Sequence, residues 1–154
     1  MPRTDRVTRV IAASPTALYA ALMDREALET WLPPTGMRGR VEHWDPRPGG
    51  GFRMTLTYLD PTGGPGKTSD GTDVVEVAFT ALTPPERVVQ QAVFASGDPA
   101  FAGTMTMTWD LTAVPGGTRV TVTATGVPSG IGRADHEAGM SSSLAHLAGY
   151  VEGR

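Results

Sequence analysis

The sequence predicts an α+β fold in which a curved antiparallel sheet wraps around one long C-terminal helix. Alternating apolar residues form a run of about six strands between residues 37 and 125, with only turns and loops between them. One more β-prone run and two short helical segments precede them. Apolar residues at helical spacing end the chain. A continuous antiparallel meander needs its apolar face covered, and the last helix is the long element available to cover it.

The N-terminal elements follow from capping residues. A short β-prone run covers Arg6–Ala12. Ser14 is a favourable N-cap and Pro15 suits the first position of a helix, so the first helix should begin there. Asp24 can cap a second short helix. That helix should end before residues 33–34, both prolines, because a proline nitrogen cannot donate a helical hydrogen bond.

The strand region is punctuated by turn residues. Strict alternation of apolar residues with Thr and Asp over residues 105–111 makes this segment the clearest half-buried strand. Asp60–Gly71 and Ser96–Gly103 have the composition of loops, and residues 115–117 suit a hairpin turn. The remaining predicted strands are Met37–Trp44, Phe52–Leu59, Thr72–Leu82, Arg87–Phe94 and a segment around residues 120–124.

The last predicted helix runs from Arg133 to Val151. Its stripe at steps of three and four residues consists of Glu137, Met140, Leu144, Leu147, Ala148 and Val151. A concave sheet that grips such a helix often leaves a cavity between the two layers. At 154 residues the chain has the length of one domain, which we expect to span residues 1–154.

The glycine-rich stretch HWDPRPGGGFRM, residues 43–54, is a candidate phosphate loop or a hairpin. A phosphate loop leads its glycines into a helix and is usually followed by a lysine. Here the glycines lead into a strand and no lysine follows. The residues therefore favour a hairpin in which glycines adopt positive φ and Asp45 pairs with Arg47 or with the loop backbone.

Charge and composition exclude several classes of function. The 13 Lys and Arg are outnumbered by 16 Asp and Glu without any basic block, so nucleic-acid binding is not expected. The absence of cysteine excludes disulfides and thiol catalysis. No apolar run is long enough to span a membrane, and the N-terminus lacks the apolar centre of a signal peptide. We expect a cytoplasmic protein that is a monomer or a homodimer.

No metal site, cofactor or catalytic residue is predicted. His43, His136 and His146 lack the spacing of metal ligands. Serines 141–143 lack the strand-turn-helix setting of a nucleophile. Glu76, His136 and Glu137 are the loose candidates for an acid or base if the protein is an enzyme.

Several motifs together resemble a known family. Residues 45–52, DPRPGGGF, resemble a D-x-R-x-G-G-x-aromatic hairpin, and Pro85-Glu86-Arg87 resembles a P-x-R turn. Residues 31–37 and the Gly139 to Leu144 segment match further pieces in the same order along the chain. This pattern is similar to the SRPBCC, or START-like (birch pollen allergen-like), superfamily. The more specific resemblance is to its branch named activator of heat-shock-protein-90 ATPase homologue.

The resemblance implies a helix-grip fold: seven antiparallel strands around a long C-terminal helix, two short helices after the first strand, and an internal apolar cavity. It also implies Trp where this chain has Met140. The function we expect is binding of an apolar small molecule in that cavity. A cyclase-like or hydrolase-like enzyme, or a module that interacts with a chaperone or other partner protein, is the alternative. The candidate cavity residues are Trp31, Leu32, Met54, Leu56, Val75, Val77, Phe79, Met105, Met107, His136, Glu137, Met140 and Leu144.

Overall fold

The structure, a computed structural model, describes residues 3–59 and 72–152. The strands are β1 (Thr4–Ile11), β2 (Met37–Asp45), β3 (Gly51–Tyr58), β4 (Thr72–Thr83), β5 (Arg87–Phe94), β6 (Met105–Val114) and β7 (Gly117–Thr125), and the helices are α1 (Pro15–Leu22), α2 (Arg25–Trp31) and α3 (Arg133–Glu152). A short 3₁₀ turn, Pro99–Phe101, lies in the predicted loop between β5 and β6. The predicted order of elements is confirmed. The predicted loop Asp60–Gly71 lies outside the described residues.

The seven strands form one antiparallel sheet in the order β1-β7-β6-β5-β4-β3-β2. The first strand therefore pairs with the last, and the six later strands form a continuous meander. This arrangement confirms the predicted α+β helix-grip architecture. In the described part of the chain, no helix has the length and hydropathy needed to cross a membrane.

Caps and one tryptophan fix the two short helices. Ser14 Oγ accepts a hydrogen bond from the Ala17 amide at 3.1 Å, as its predicted role requires. Asp24 caps α2 in the same way. Trp31, at the end of α2, is fully buried and donates its indole N–H to the carbonyl oxygen of Ala21 in α1 at 3.0 Å. The two helices therefore pack together as one unit.

The glycine-rich stretch is the β2–β3 hairpin. Arg47 Nε donates to Asp45 Oδ1 at 2.7 Å, and Gly49 has a φ of +85°. The amide of Gly49 donates to the carbonyl oxygen of Phe79, and the Phe79 amide donates to that of Gly50, both at 2.9 Å. The hairpin interpretation is confirmed, and the glycines allow the loop backbone to pair closely with β4.

The long helix α3 lies alongside β1 and runs in the same direction. Its first turn meets Asp5 through His136, and Glu152 at its end accepts a hydrogen bond from the Ala12 amide at 2.8 Å. Sixteen helical residues rise about 24 Å, and seven strand residues about 23 Å, so the two elements match in length. The buried residues of α3 are Met140, Ser143, Leu144, Leu147, Ala148 and Val151.

Candidate ligand site

The inward-facing side chains of the sheet fall into two groups. One group is buried within the hydrophobic core and includes Val88, Trp109, Leu111, Val120 and Val122. The other group lies on β3 to β6 and is only partly buried although its side chains point to the same inner face. Its members are Leu56, Val75, Val77, Phe94 and Met107, which we call the half-buried group.

The register of the sheet brings the half-buried group together. Val75 lies opposite Phe94 on β5, and Val77 lies opposite Ala92, one pair further along. Met107 on β6 lies opposite Gln90, which is the next inward residue of β5 after Ala92. Leu56 on β3 lies opposite the buried Asp73, two residues before Val75 on β4, so the group spans four strands and borders a buried carboxyl group.

The residues predicted from the sequence divide between core and half-buried positions. Trp31, Met54, Phe79, Met105, Met140 and Leu144 are buried within the core. Leu32, Leu56, Val75, Val77, Met107, His136 and Glu137 are partly exposed. Trp31 in particular is a core anchor: its ring stands edge-on to Trp109 with a centroid separation of 5.5 Å. Of the three strand methionines in this set, Met54 and Met105 are buried in the core and Met107 is partly exposed.

A buried carboxylate holds the first turn of α3 to the sheet. Asp5 is fully buried, and Arg3 donates to both of its oxygens at 3.0–3.1 Å. Arg133 Nε donates to Oδ1 at 3.2 Å, and His136 Nδ1 lies 2.9 Å from Oδ2. An ionised carboxylate only accepts hydrogen bonds, so Nδ1 carries the proton of this contact. We refer to these four residues as the Asp5 cluster.

The Asp5 cluster changes the pKa of the Asp5 carboxyl group. Burial raises the pKa of Asp5, but the hydrogen bonds and charges of His136 and Arg3 lower it further than burial raises it. The net direction is a pKa below the ordinary 3.8. Asp5 is therefore held as a carboxylate near neutral pH, which suits a structural ion cluster.

The acid and base candidates do not assemble into one site. Glu76 lies on the outer face of β4, where Arg53 Nε donates to its Oε1 at 2.5 Å. His136 lies at the inner face, engaged with Asp5. The sheet itself separates Glu76 from His136. Glu137 is half-buried on the first turn of α3.

The serine run on α3 holds the segment that follows α2. Ser143 is buried and donates to the carbonyl oxygen of Leu32 at 2.5 Å. Ser142 Oγ accepts a hydrogen bond from the Thr35 amide at 3.0 Å, and His146 Nε2 lies 3.2 Å from Thr35 Oγ1. These contacts from Ser142, Ser143 and His146 hold residues 32–35 against α3.

Sequence reasoning missed the buried polar residues of the inner face, which include Asp5, Asp73 and Gln90. Gln90 is only 6% exposed and lies opposite Phe79 on β4 and Met107 on β6. Its Oε1 accepts a hydrogen bond from the Trp109 indole N–H at 3.1 Å. The alternation of Val88, Gln90 and Ala92 was the signal in the sequence that could have placed it inward.

A separate groove lies outside this area. It has a volume of about 480 Å³ and is lined by Pro15, Thr83, Pro85, Glu86, Arg87, Asp110, Leu111, Thr112 and Ala113. None of the predicted cavity residues lines it. Arg87 and Asp110, which border it, pair with each other at 2.6 Å. Over residues 3–59 and 72–152, no three His, Asp or Glu side chains converge as metal ligands.

The strand order, the two short helices after β1 and the long helix on the inner face define a helix-grip protein of the SRPBCC, or START-like, class. The family model described as Activator of Hsp90 ATPase homolog 1-like protein matches residues 12–152. The chain belongs to this family, which confirms the resemblance seen in the sequence. Among curated proteins, none matches the sequence.

Solved structures agree with this assignment. A crystal structure of a protein from Chromobacterium violaceum is 30% identical, with a TM-score of 0.87 and 99% of each chain covered. A protein from Rhodobacter sphaeroides is 20% identical, with a TM-score of 0.79, covering 97% of this chain and 92% of its own. A solution structure of a protein from Arthrobacter aurescens is 18% identical, with a TM-score of 0.80, covering 98% of this chain and 87% of its own. The last two show the shared fold.

Proposed function

We propose that this protein binds an apolar small molecule between the inner face of its sheet and α3. The observation that carries the proposal is the half-buried group: five apolar side chains that point inward yet keep part of their surface accessible. Apolar surface that stays in contact with water inside a concave face favours an apolar occupant, because covering it removes that surface from water. The size of the gain rises with the area covered, at about 25 cal/mol per Å².

The position of the accessible apolar surface favours a small ligand over a partner protein. A concave inner face under a long helix admits a small molecule more readily than a second protein surface. On the outside, the exposed large apolar side chains of the described residues are Val10, Leu59 and Val93. Val10 and Val93 lie on β1 and β5, which β7 and β6 separate, so these two do not form a contiguous docking patch.

The proposal does not include a reaction. Glu76 and His136 lie on opposite faces of the sheet, and His136 is engaged by a carboxylate that holds α3 in place. No pair of groups among the described residues is arranged as a nucleophile and its base near the half-buried group. A cytoplasmic location and a monomeric or homodimeric state remain predictions from the sequence.

Two measurements test the proposed binding. The purified protein is analysed by native mass spectrometry, and any bound molecule is extracted into organic solvent and identified by its mass. In parallel, the protein is titrated with N-phenylnaphthylamine, a neutral dye whose fluorescence rises in apolar surroundings. We expect a saturable rise with one site per chain. A native spectrum without bound molecules, together with a linear and unsaturable dye response, contradicts the proposal.

A further inference from the structure

One amide group on the inner face has a fixed orientation. The Trp109 indole N–H can only donate a hydrogen bond, so the atom of Gln90 that faces it at 3.1 Å must be the oxygen. This contact settles which end of the Gln90 amide is Oε1. The amino group, Nε2, therefore points away from the indole with both of its N–H bonds.

Among the residues that the structure describes, the Nε2 atom of Gln90 has no hydrogen-bond partner. Within the described part of the chain it donates no hydrogen bond, although the residue as a whole is only 6% exposed. Every completely buried side-chain nitrogen or oxygen of the described residues does have a partner. The Nε2 atom must therefore reach accessible space. The side chains around it on the inner face include Met107, directly opposite, and Val77, one pair further along, both in the half-buried group.

We infer that Gln90 Nε2 is the polar anchor of the ligand site, and that the ligand is an apolar molecule carrying one neutral hydrogen-bond acceptor, such as a ketone, ester or ether oxygen. This inference rests on the proposed function and specifies its ligand. When an apolar ligand displaces water from this space, the Nε2 donor would be left unpaired at a cost in free energy, which an acceptor on the ligand avoids. The inward neighbours Phe79, Ala92 and Met107 are uncharged, which favours a neutral acceptor over a carboxylate.

The alternative role for Gln90 is purely structural, as the acceptor for Trp109. The two roles differ in what they predict for ligands. A purely structural glutamine influences all ligands alike, through stability or packing. An anchoring glutamine distinguishes a ligand that has an acceptor from one of the same shape that lacks it. Discrimination between two such ligands is therefore the quantity to measure.

Fluorenone and fluorene are a suitable pair, because they share a flat three-ring frame and differ in a carbonyl group against a methylene group. Their dissociation constants are measured by displacement of N-phenylnaphthylamine from the wild type, from Gln90→Met and from the control Gln91→Met. Gln91 is the neighbouring glutamine on the exposed outer face of β5. The ratio of the two constants is compared between proteins, so the different solubilities of the two compounds in water cancel.

We expect Gln90→Met to weaken the binding of fluorenone about three- to tenfold relative to the binding of fluorene, as the loss of one neutral hydrogen bond predicts. Gln91→Met should leave the ratio unchanged. An unchanged ratio in Gln90→Met, with both compounds still bound, overturns the anchor and leaves the proposed function standing. Failure of the wild type to bind the dye, fluorene and fluorenone overturns the proposed function and the anchor with it.

A measurement on the wild type covers the case in which Gln90→Met does not fold. The infrared carbonyl stretch of fluorenone is recorded bound to the protein and in dry hexane. A hydrogen bond from Nε2 shifts the stretch to lower frequency on binding, and we expect that shift. A bound carbonyl that absorbs at its hexane frequency overturns the anchor.

Discussion

The Nδ1 atom of His136 lies 2.9 Å from the Oδ2 atom of Asp5. This contact joins the first turn of α3 to the first strand of the sheet. Asp5 lies opposite Ala124, which lies opposite Met107, which in turn lies opposite Gln90. The Asp5 cluster therefore fixes the start of the long helix at the level of the sheet where the candidate site lies.

We expect Asp5→Asn to lower the free energy of unfolding by about 2–3 kcal/mol, because it removes the charge that the surrounding Arg3, Arg133 and His136 share in a buried position. Chemical denaturation at pH 7 measures the change. Asp110→Asn is the control, since the pair of Asp110 with Arg87 is partly exposed and should contribute less than about 1 kcal/mol. Equal effects of the two substitutions would contradict the assigned role of Asp5.

The contribution of Asp5 should depend on pH with a defined sign. Its pKa in the folded protein lies below the ordinary 3.8, so folding favours the ionised form. The stability it adds is complete well above the unfolded pKa and is lost as the pH falls through the lowered folded pKa. The difference in unfolding free energy between wild type and Asp5→Asn should thus be constant above about pH 5 and shrink below about pH 4. A difference that grows on acidification is the opposite result.

The serine run offers a prediction with its control in the same helix turn. Ser143→Ala removes the donor to the Leu32 carbonyl and should cost about 1–2 kcal/mol, because a buried acceptor loses its partner. Ser141 is exposed, so Ser141→Ala should be neutral or slightly stabilising. Hydrogen exchange provides a local measurement: the amides of Leu32 and Thr35, which flank two prolines, should exchange faster only in Ser143→Ala. Similar exchange in both variants would mean that Ser143 does not hold this segment.

Three glycines should respond differently to replacement by alanine. A Cβ at Gly51 would overlap the carbonyl oxygen of Val77 on β4, so Gly51→Ala should cost about 1–3 kcal/mol. Gly49 has open space but a φ of +85°, so Gly49→Ala should cost about 1 kcal/mol. Gly97 has neither constraint, and Gly97→Ala should be neutral or slightly stabilising. Thermal unfolding gives the order of stability of the three variants. A Gly51→Ala protein as stable as Gly97→Ala would contradict the prediction.

The sequence predicted the architecture well because local signals agreed with the global fold. Ser14 and Asp24 cap the helices they were expected to cap, and the alternation over residues 105–111 belongs to a strand with one buried face. Each of these signals acts over a few residues. A strand shifted by one residue would turn its apolar side chains to the outer face of the sheet. The alternating pattern therefore specifies strongly which side chains face inward.

The site was harder to predict because its contacts are distant in sequence. Asp5 is separated from its partner His136 by 131 residues, and no periodicity links the two. Trp31 was a candidate cavity residue, but its burial depends on contacts with α1 and with Trp109, neither of which its own segment reveals. Strand parity could have placed Gln90 on the inner face, but which of its amide atoms faces Trp109 depends on the three-dimensional packing of the two side chains.

The last prediction tests where the accessible space lies, by making one substitution at two positions. Val77 is half-buried and Val88 is fully buried, and both point to the inner face of the sheet. The Val→Phe substitution changes strand propensity equally at both positions, so a difference in stability between the two variants reports on packing. Val88→Phe should cost about 1–3 kcal/mol by overfilling a packed core. Val77→Phe should keep its melting temperature close to that of the wild type, because the larger ring enters accessible space, and should abolish most of the N-phenylnaphthylamine response. A Val77→Phe protein as unstable as Val88→Phe would mean that no usable space exists there. A stable one with full dye binding would place the ligand elsewhere.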